Sequence, residues 1–340
     1  MKRILVVRLD SVGDVLLAGP AIAAAAADAS VDVLCSSIGR PAAELLPGVE
    51  RTIVFDAPWI LNPAPPVDAD GLRTTVSHLR RREYDAAAIL CSSHQSPLPT
   101  AMVLRLAGIP RLAAVSNDYA GTLLDHRIPG DPDLHEVERS LAVVGELDVE
   151  IGDPAAHRLR VDVAPMASRA GRVVLHPGAA VPARTLAPSQ WRSAVAELVR
   201  QRYDVVVTGS RAEAGLCATV AEPTGRAPVL LPRDDLRGLA EVIGTAAVVV
   251  AGNTGPAHLA AALGRPVAVV FPPTVPPDRW RPWGVPHVLL GDLNVPCAGC
   301  RATQCPLGDQ ICLTGVDPTQ VTDAVDGLTL ERTDRQEVIG

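Results

Sequence analysis

Short aliphatic runs recur along this chain, and each gives way to a polar turn and then to a stretch with helical apolar spacing. In the first half the runs are Ile4 to Leu9, Val31 to Cys35, Thr52 to Phe55, Ala86 to Cys91 and Arg111 to Val115, with helical patterns such as Val15 to Asp28 and Pro99 to Ala107 between them. That alternation is the grammar of an α/β fold. The series restarts at Arg172, with strands expected at Val173 to His176, Asp204 to Thr208, Val229 to Leu231, Ala247 to Ala251 and Pro266 to Phe271. Helices are expected at Pro188 to Gln201, Ala212 to Ala221 and Leu236 to Gly244. Two doubly wound halves, each with a parallel sheet, hold a ligand in the cleft facing the carboxyl ends of their strands.

A chain of 340 residues exceeds the usual size of one domain. The stretch from Val161 to Gly171 has a proline, small residues and no clear period, so it reads as the linker between domains 1–164 and 165–340. A final helix near Pro318 to Leu328 is expected to cross back to the first domain. Residues 57–70 carry Pro58, Pro63, Pro65 and Pro66 and read as a loop. Asp68-Ala69-Asp70, just after them, reads as solvated turn residues and not as a metal-holding pair. The alanine-rich run at 21–28 is too short and too weakly apolar for a membrane span. Lys2-Arg3 followed by Ile4 to Val7 reads as a first β-strand and not as a signal peptide.

Net charge is −7, and no block of basic residues stands out. Nucleic acid is therefore not expected as the partner, because a phosphate-tracking surface needs clustered Lys and Arg. A small phosphorylated ligand is compatible with these counts. The seven cysteines, in a chain read as lacking a secretion signal, favour a reducing compartment and a cytoplasmic enzyme, with peripheral contact to the inner face of a membrane left open.

Three motifs carry candidate chemistry. In Arg8-Leu9-Asp10-Ser11-Val12-Gly13-Asp14 a strand runs through a glycine turn into a helix, so Asp14 lies near the helix start at the cleft edge. A carboxylate there can take the proton of a sugar hydroxyl as it attacks an anomeric carbon. The alternative is that Asp14 or Asp10 only caps the helix and offsets its dipole. In Leu175-His176-Pro177-Gly178-Ala179 a strand ends in a loop of small residues that lets a ligand approach the backbone, and Arg184 follows eight residues after His176. An arginine there can neutralise a departing diphosphate; alternatively the segment is a turn with a surface arginine.

The third motif is the most informative. Val250-Ala251-Gly252-Asn253-Thr254-Gly255-Pro256-Ala257-His258 joins a buried strand, a Gly-Asn-Thr-Gly loop and a helix opened by proline. Backbone N–H groups and the helix dipole make such a loop an anion site. Thr254 adds a hydroxyl donor, and His258 either contacts phosphate or acceptor, or packs as a hydrogen-bonded residue. The three spaced glycines of a dinucleotide fingerprint are missing, so a nicotinamide cofactor is not expected. Residues Thr274 to Trp283, rich in proline, either cover the donor or form a stiff interdomain loop.

Taken in order, these motifs resemble glycosyltransferase family 9, the ADP-heptose:lipopolysaccharide heptosyltransferases, over nearly the whole chain. The resemblance implies a GT-B type fold, two Rossmann-like domains facing each other across a cleft, and inverting transfer of a sugar from a nucleotide-sugar donor. Gly13-Asp14 is similar to the family's Gly-Asp turn, whose aspartate is the base. His176-Pro177-Gly178-Ala179 with Arg184 resembles its donor-side motif, and Gly209 and Glu213 resemble its strand-end glycine and ribose-binding acid. Asn253-Thr254-Gly255-Pro256-Ala257-His258 resembles an Asp-Thr-Gly-Pro-x-His signature. Asn253 stands where many members have aspartate, and an asparagine hydrogen-bonds but carries no charge. The implied donor is ADP-heptose, and the acceptor is a glycan, lipid-linked or natural-product hydroxyl. No cofactor is required for the chemistry.

Cys297, Cys300, Cys305 and Cys312 follow a C-x2-C-x4-C-x6-C pattern. Four soft ligands in one loop can hold zinc or iron as a structural staple; alternatively they are reduced thiols, and some members of the resembled family have similar spacing. Two rival functions remain: a nucleotide-sugar epimerase or hydrolase of the same fold, and a noncatalytic nucleotide- or metal-binding protein.

Overall fold

The structure, a computed structural model, describes residues 2–337. The chain divides into two compact units between Asp162 and Val163. In the first unit β1 (Lys2–Arg8), β2 (Ala29–Cys35), β3 (Val49–Val54), β4 (Ala86–Ile89), β5 (Leu112–Val115) and β6 (His126–Ile128) form one sheet in the order β3-β2-β1-β4-β5-β6. In the second, β7 (Arg172–His176), β8 (Asp204–Ser210), β9 (Val229–Leu231), β10 (Val248–Gly252), β11 (Val267–Val270) and β12 (His287–Leu290) are ordered β12-β11-β10-β7-β8-β9. Every pairing is parallel.

The two orders are the same when each unit is counted from its own first strand. In both, the chain builds outward from the first strand and then returns to pair the fourth strand with it. This is the doubly wound Rossmann arrangement, and the loops leaving the first and fourth strands diverge to open a crevice. The aliphatic runs suit it because both faces of the sheet are covered: Ile4, Leu5 and Val6 are all fully buried. Alternate residues then enter opposite layers. Leu5 and Val7 join one core with Ala87 and Ile89, and Val173 and Leu175 join Val248 and Val250 in the other unit.

Several elements depart from the expectations. The helix expected from Val15 to Asp28 is two, Val12–Leu17 and Gly19–Ala26, because Pro20 lacks an N–H and cannot continue the preceding turn. Residues 69 and 70 open a helix, Ala69–Arg80, capped by Asp68, whose carboxylate accepts from the Asp70 N–H. The helix Glu136–Gly145 and the short strands β6 and β12 have no counterpart among the expected elements. The last helix, Pro318–Glu337, packs inside the second unit against the helix Pro188–Arg200 and strands β10, β11 and β12. Its Val321, Val325 and Leu328 belong to the second core, which corrects the expected crossing to the first domain.

Trp191 links this core to the edge of the second sheet. It is fully buried, and its Nε1 donates to Thr185 Oγ1 at 2.8 Å while that hydroxyl donates to the Pro177 carbonyl at 2.6 Å. Trp191→Ala is expected to destabilise the protein by about 3–5 kcal/mol, the usual cost of deleting a buried tryptophan. Denaturant unfolding measures this, and a loss below about 1 kcal/mol contradicts the assignment.

Candidate active site

In the first unit the site begins where β1 stops. Arg8 is the last residue of that strand, and Ser11 precedes the helix Val12–Leu17 that carries Asp14 in its first turn. Arg8 is buried, whereas the Asp14 side chain keeps 19% of its surface exposed. One Asp14 oxygen accepts from Arg8 at 2.8 Å and the other from the Ser11 hydroxyl at 2.7 Å. Both contacts orient the carboxylate while leaving it reachable.

Arg8 is also the hub of a wider group. Its Nε lies 3.0 Å from Asp10 and another nitrogen 3.4 Å from Glu136, and it donates to Ser92 Oγ at 3.0 Å. Arg139 donates to the second Glu136 oxygen at 2.8 Å. Gln95 donates to Asp10. Burial works against the Arg8 charge, but Asp10, Asp14 and Glu136 outweigh it and hold the guanidinium protonated. Burial pushes the Asp10 carboxyl up to about 6; Arg8 opposes that shift and the charge of Asp14 adds to it. Burial likewise raises the Cys91 thiol, to about 11. Of these partners the local pattern singles out only Asp10, as a candidate helix cap. Arg8 ends an apolar run with a charge, a signal that was available. Glu136 and Arg139 sit on a helix that the pattern did not reveal.

In the second unit the expected donor residues gather at one sheet edge. His176 ends β7 and lies beside β10, with Ala251 its register partner. A Cβ on Gly178 would stand 2.0 Å from Glu213 Oε1, and one on Gly209 would stand 2.4 Å from Cys217 Sγ and 3.4 Å from Glu213 Oε2. The Glu213 carboxylate therefore lies directly on the backbone at Gly178, fixed there by the Ser210 N–H at 2.8 Å and hydroxyl at 2.6 Å. Burial lowers the His176 pKa, with Glu213 opposing, so the imidazole is neutral at physiological pH. Its buried Nδ1 has no hydrogen-bond partner among the described residues.

The turn Pro182–Arg184 reaches the same edge. A Cβ on Gly252 would stand 2.7 Å from the Arg184 carbonyl, so the backbone at Arg184 rests on the end of β10. Asn253 is buried and its N–H donates to Val270. Thr254 then precedes the helix Gly255–Ala262, which holds the buried His258 in its first turn. Ala179 follows Gly178, half-buried.

The cysteine loop braces this region from below. Thr303 accepts from the Ala183 N–H at 3.0 Å, Gln310 donates to the Pro182 carbonyl at 3.2 Å, and Arg301 donates through its N–H to Thr274 at 2.9 Å. Cys297, Cys300, Cys305 and Cys312 are free thiols. The Cys312 thiol is pushed up by burial and by its neighbours Cys297, Cys305 and Cys300. Among the described residues no group of three or more His, Cys, Asp or Glu is placed to hold a metal ion. Backbone hydrogen bonds secure the loop.

Residues 73–311 match the family described as Glycosyltransferase family 9 (heptosyltransferase). The chain belongs to glycosyltransferase family 9. It is 28% identical to lipopolysaccharide heptosyltransferase 1 of Pseudomonas aeruginosa over 96% of this chain and 98% of that one. The fold is shared with the ADP-heptose lipopolysaccharide heptosyltransferase II of E. coli, at 20% identity and a TM-score of 0.73 over 98% of this chain and 100% of that one. It is also shared with the E. coli heptosyltransferase WaaC with ADP-2-deoxy-2-fluoro heptose, at 20% identity and a TM-score of 0.71 over 96% and 99%. The family 9 chain is therefore a glycosyltransferase of GT-B fold. Among its described residues no helix is long and apolar enough to cross a membrane.

The raised Asp10 pKa has a measurable consequence for this glycosyltransferase. Its folded value, about 6, exceeds the ordinary 3.8, so the folded state binds the extra proton between those values. Stability from this group therefore falls as pH rises through that window. Asp10→Asn removes the effect, and the stability difference between variant and wild type is expected to move in favour of the variant by on the order of 2 kcal/mol from pH 4 to pH 7. Denaturation at the two pH values measures it, and an unchanged difference contradicts the assignment.

Proposed function

We propose that this enzyme transfers a heptosyl group, with inversion, from ADP-heptose to a hydroxyl of a glycan acceptor. The carrying observation is the edge of the second sheet, where Glu213 lies on Gly178 and the backbone at Arg184 lies on Gly252, beside the N-terminus of the helix Gly255–Ala262. Such an edge suits a nucleoside diphosphate. The helix N-terminus, the Thr254 hydroxyl and the Arg184 guanidinium offset the phosphate charge. Glu213 suits the ribose hydroxyls, and the neutral His176 and Asn253 offer hydrogen bonds without charge. The E. coli relative crystallised with a fluorinated ADP-heptose supports this choice of donor.

Asp14, on the first unit, is the base in this reading. The acceptor oxygen attacks the anomeric carbon while its proton passes to Asp14, and the bond from that carbon to the phosphate oxygen breaks. The electron pair leaves with ADP, whose new charge meets Arg184 and the helix N-terminus. A single displacement of this kind inverts the anomeric centre. No step is routed through a metal ion. The free thiols fit a reducing compartment, and we place the reaction in the cytoplasm.

Release of ADP from ADP-heptose, measured with and without lipopolysaccharide-core and other glycan acceptors, tests the proposal. Acceptor-dependent release is expected, and no release with any acceptor sinks it. Asp14→Asn is expected to lower kcat by roughly 10²- to 10⁴-fold, the range for loss of a general base, with donor affinity unchanged. Gly178→Ala drives a methyl group into the Glu213 carboxylate and is expected to raise the donor KM about tenfold, equivalent to roughly 1.4 kcal/mol. A donor KM within twofold of wild type would count against Glu213 as a donor contact.

A further inference from the structure

The group around Arg8 contains more carboxylates than the reaction described above uses. Asp10, Asp14 and Glu136 face two guanidiniums, Arg8 and Arg139. Fully ionised, the five groups carry one surplus negative charge. Glu136 is matched by Arg139 at 2.8 Å and only leans on Arg8 at 3.4 Å. Asp10 and Asp14 share what remains of Arg8, at 3.0 and 2.8 Å. The Asp10 side chain is 9% exposed and Arg8 2%, so water screens this competition weakly.

The count matters when a proton arrives. An isolated Asp14–Arg8 pair is neutral, and protonating its carboxylate leaves a buried, uncompensated guanidinium, which is costly. Such an aspartate is a poor base. With Asp10 ionised on the other side of the same guanidinium, protonation of Asp14 takes the group from one negative charge to zero. Arg8 keeps a partner throughout.

We propose that Asp10 is a positioning residue for the proton transfer: by sharing the Arg8 guanidinium with Asp14 it keeps the buried group one negative charge in surplus, which makes Asp14 a competent base. This rests on the reading of Asp14 as the base. Among the groups that face Asp10 are Arg8 on β1, Asp14 on the following helix, Gln95 and Cys91 after β4, and Glu136 on the helix Glu136–Gly145, itself paired with Arg139. The Cys91 thiol is neutral at working pH, so it does not alter the count. The carboxylates share their protons, and the acid limb of the rate profile reports the group as a whole.

The test is the pH dependence of kcat and of kcat/KM for the acceptor, from pH 5 to 9, on the full chain at saturating donor. For Asp10→Asn the acid limb is expected to move about one unit lower, with kcat at pH 7.5 reduced by roughly three- to tenfold as the base weakens. Donor KM stays within twofold, and Asp10→Glu restores most of the rate. Asp10→Ser, which removes the charge with a smaller side chain, serves if the asparagine variant does not fold; circular dichroism establishes folding for each. A wild-type acid limb and kcat in a folded charge-removing variant overturn the inference. So does an equal loss at every pH that Asp10→Glu fails to rescue, since a purely structural role gives that pattern. Asp14→Asn is measured alongside. If it retains full activity the base reading itself fails; if it is inactive while Asp10→Asn behaves as wild type, only the inference about Asp10 fails.

Discussion

The parallel pairing of the first and fourth strands in each sheet is the constraint on which both halves of the chemistry depend. Because the strands run the same way, every strand end opens onto the same edge. In the second unit, β7 and β10 in register set Ala251 beside His176. Residues far apart in the chain, His176, Gly209 and Gly252, thereby share an edge. In the first unit, β1 and β4 pair Val7 with Ile89, so the chain beyond β4 brings Ser92 and Gln95 level with Arg8 and Asp10. The helix Glu136–Gly145, packed on β4 and β5, adds Glu136 from above. A buried arginine at the end of β1 is tolerable only because this pairing delivers its partners.

At the edge of the second unit, the missing side chain of glycine performs a definite task. Gly178 and Gly252 leave room for groups that any Cβ would strike, the Glu213 carboxylate in one case and the Arg184 carbonyl in the other. Close approach of backbone to backbone brings N–H groups to a common place, which is what an anion site needs. The hydrogen bonds through Thr185 to Pro177 and from Trp191 to Thr185 then tie this edge to the core. Stability and site geometry meet in those contacts.

The motif-bearing strands were legible because they are aliphatic and covered on both faces, so no polar alternation blurs them. β6 was not, since His126–Ile128 has one apolar residue in three and does not stand out from a loop; β12 (His287–Leu290) is apolar in three of four positions but is only a short run directly after the proline-rich stretch 272–286. The strand, turn and helix that carry the residues expected at the donor could be read from local sequence because they are consecutive there. The partners of Arg8 could not. Glu136 lies 128 positions away, and nothing in its neighbourhood distinguishes a buried ion pair from a solvated helix face. At Cys297 to Cys312 the pattern fixes separations along the chain, and the fold brings Cys297, Cys300 and Cys305 near enough to Cys312 to raise its thiol.

The burial of Asp10 carries an opposite sign for stability and for chemistry. Desolvation makes its charge expensive, as its raised pKa records, and a neutral side chain there would relieve the cost. Yet two guanidiniums matched by only two carboxylates would hold Asp14 as the acid partner of a neutral pair, with little tendency to take a proton. Keeping a third carboxylate in the group exchanges folding free energy for basicity at the one aspartate that remains open to solvent. Sites that must accept charge during reaction commonly hold their ground state off balance in this way. Arg8 is then more than a counter-ion: the same guanidinium that orients Asp14 passes to it the influence of a charge on the far side.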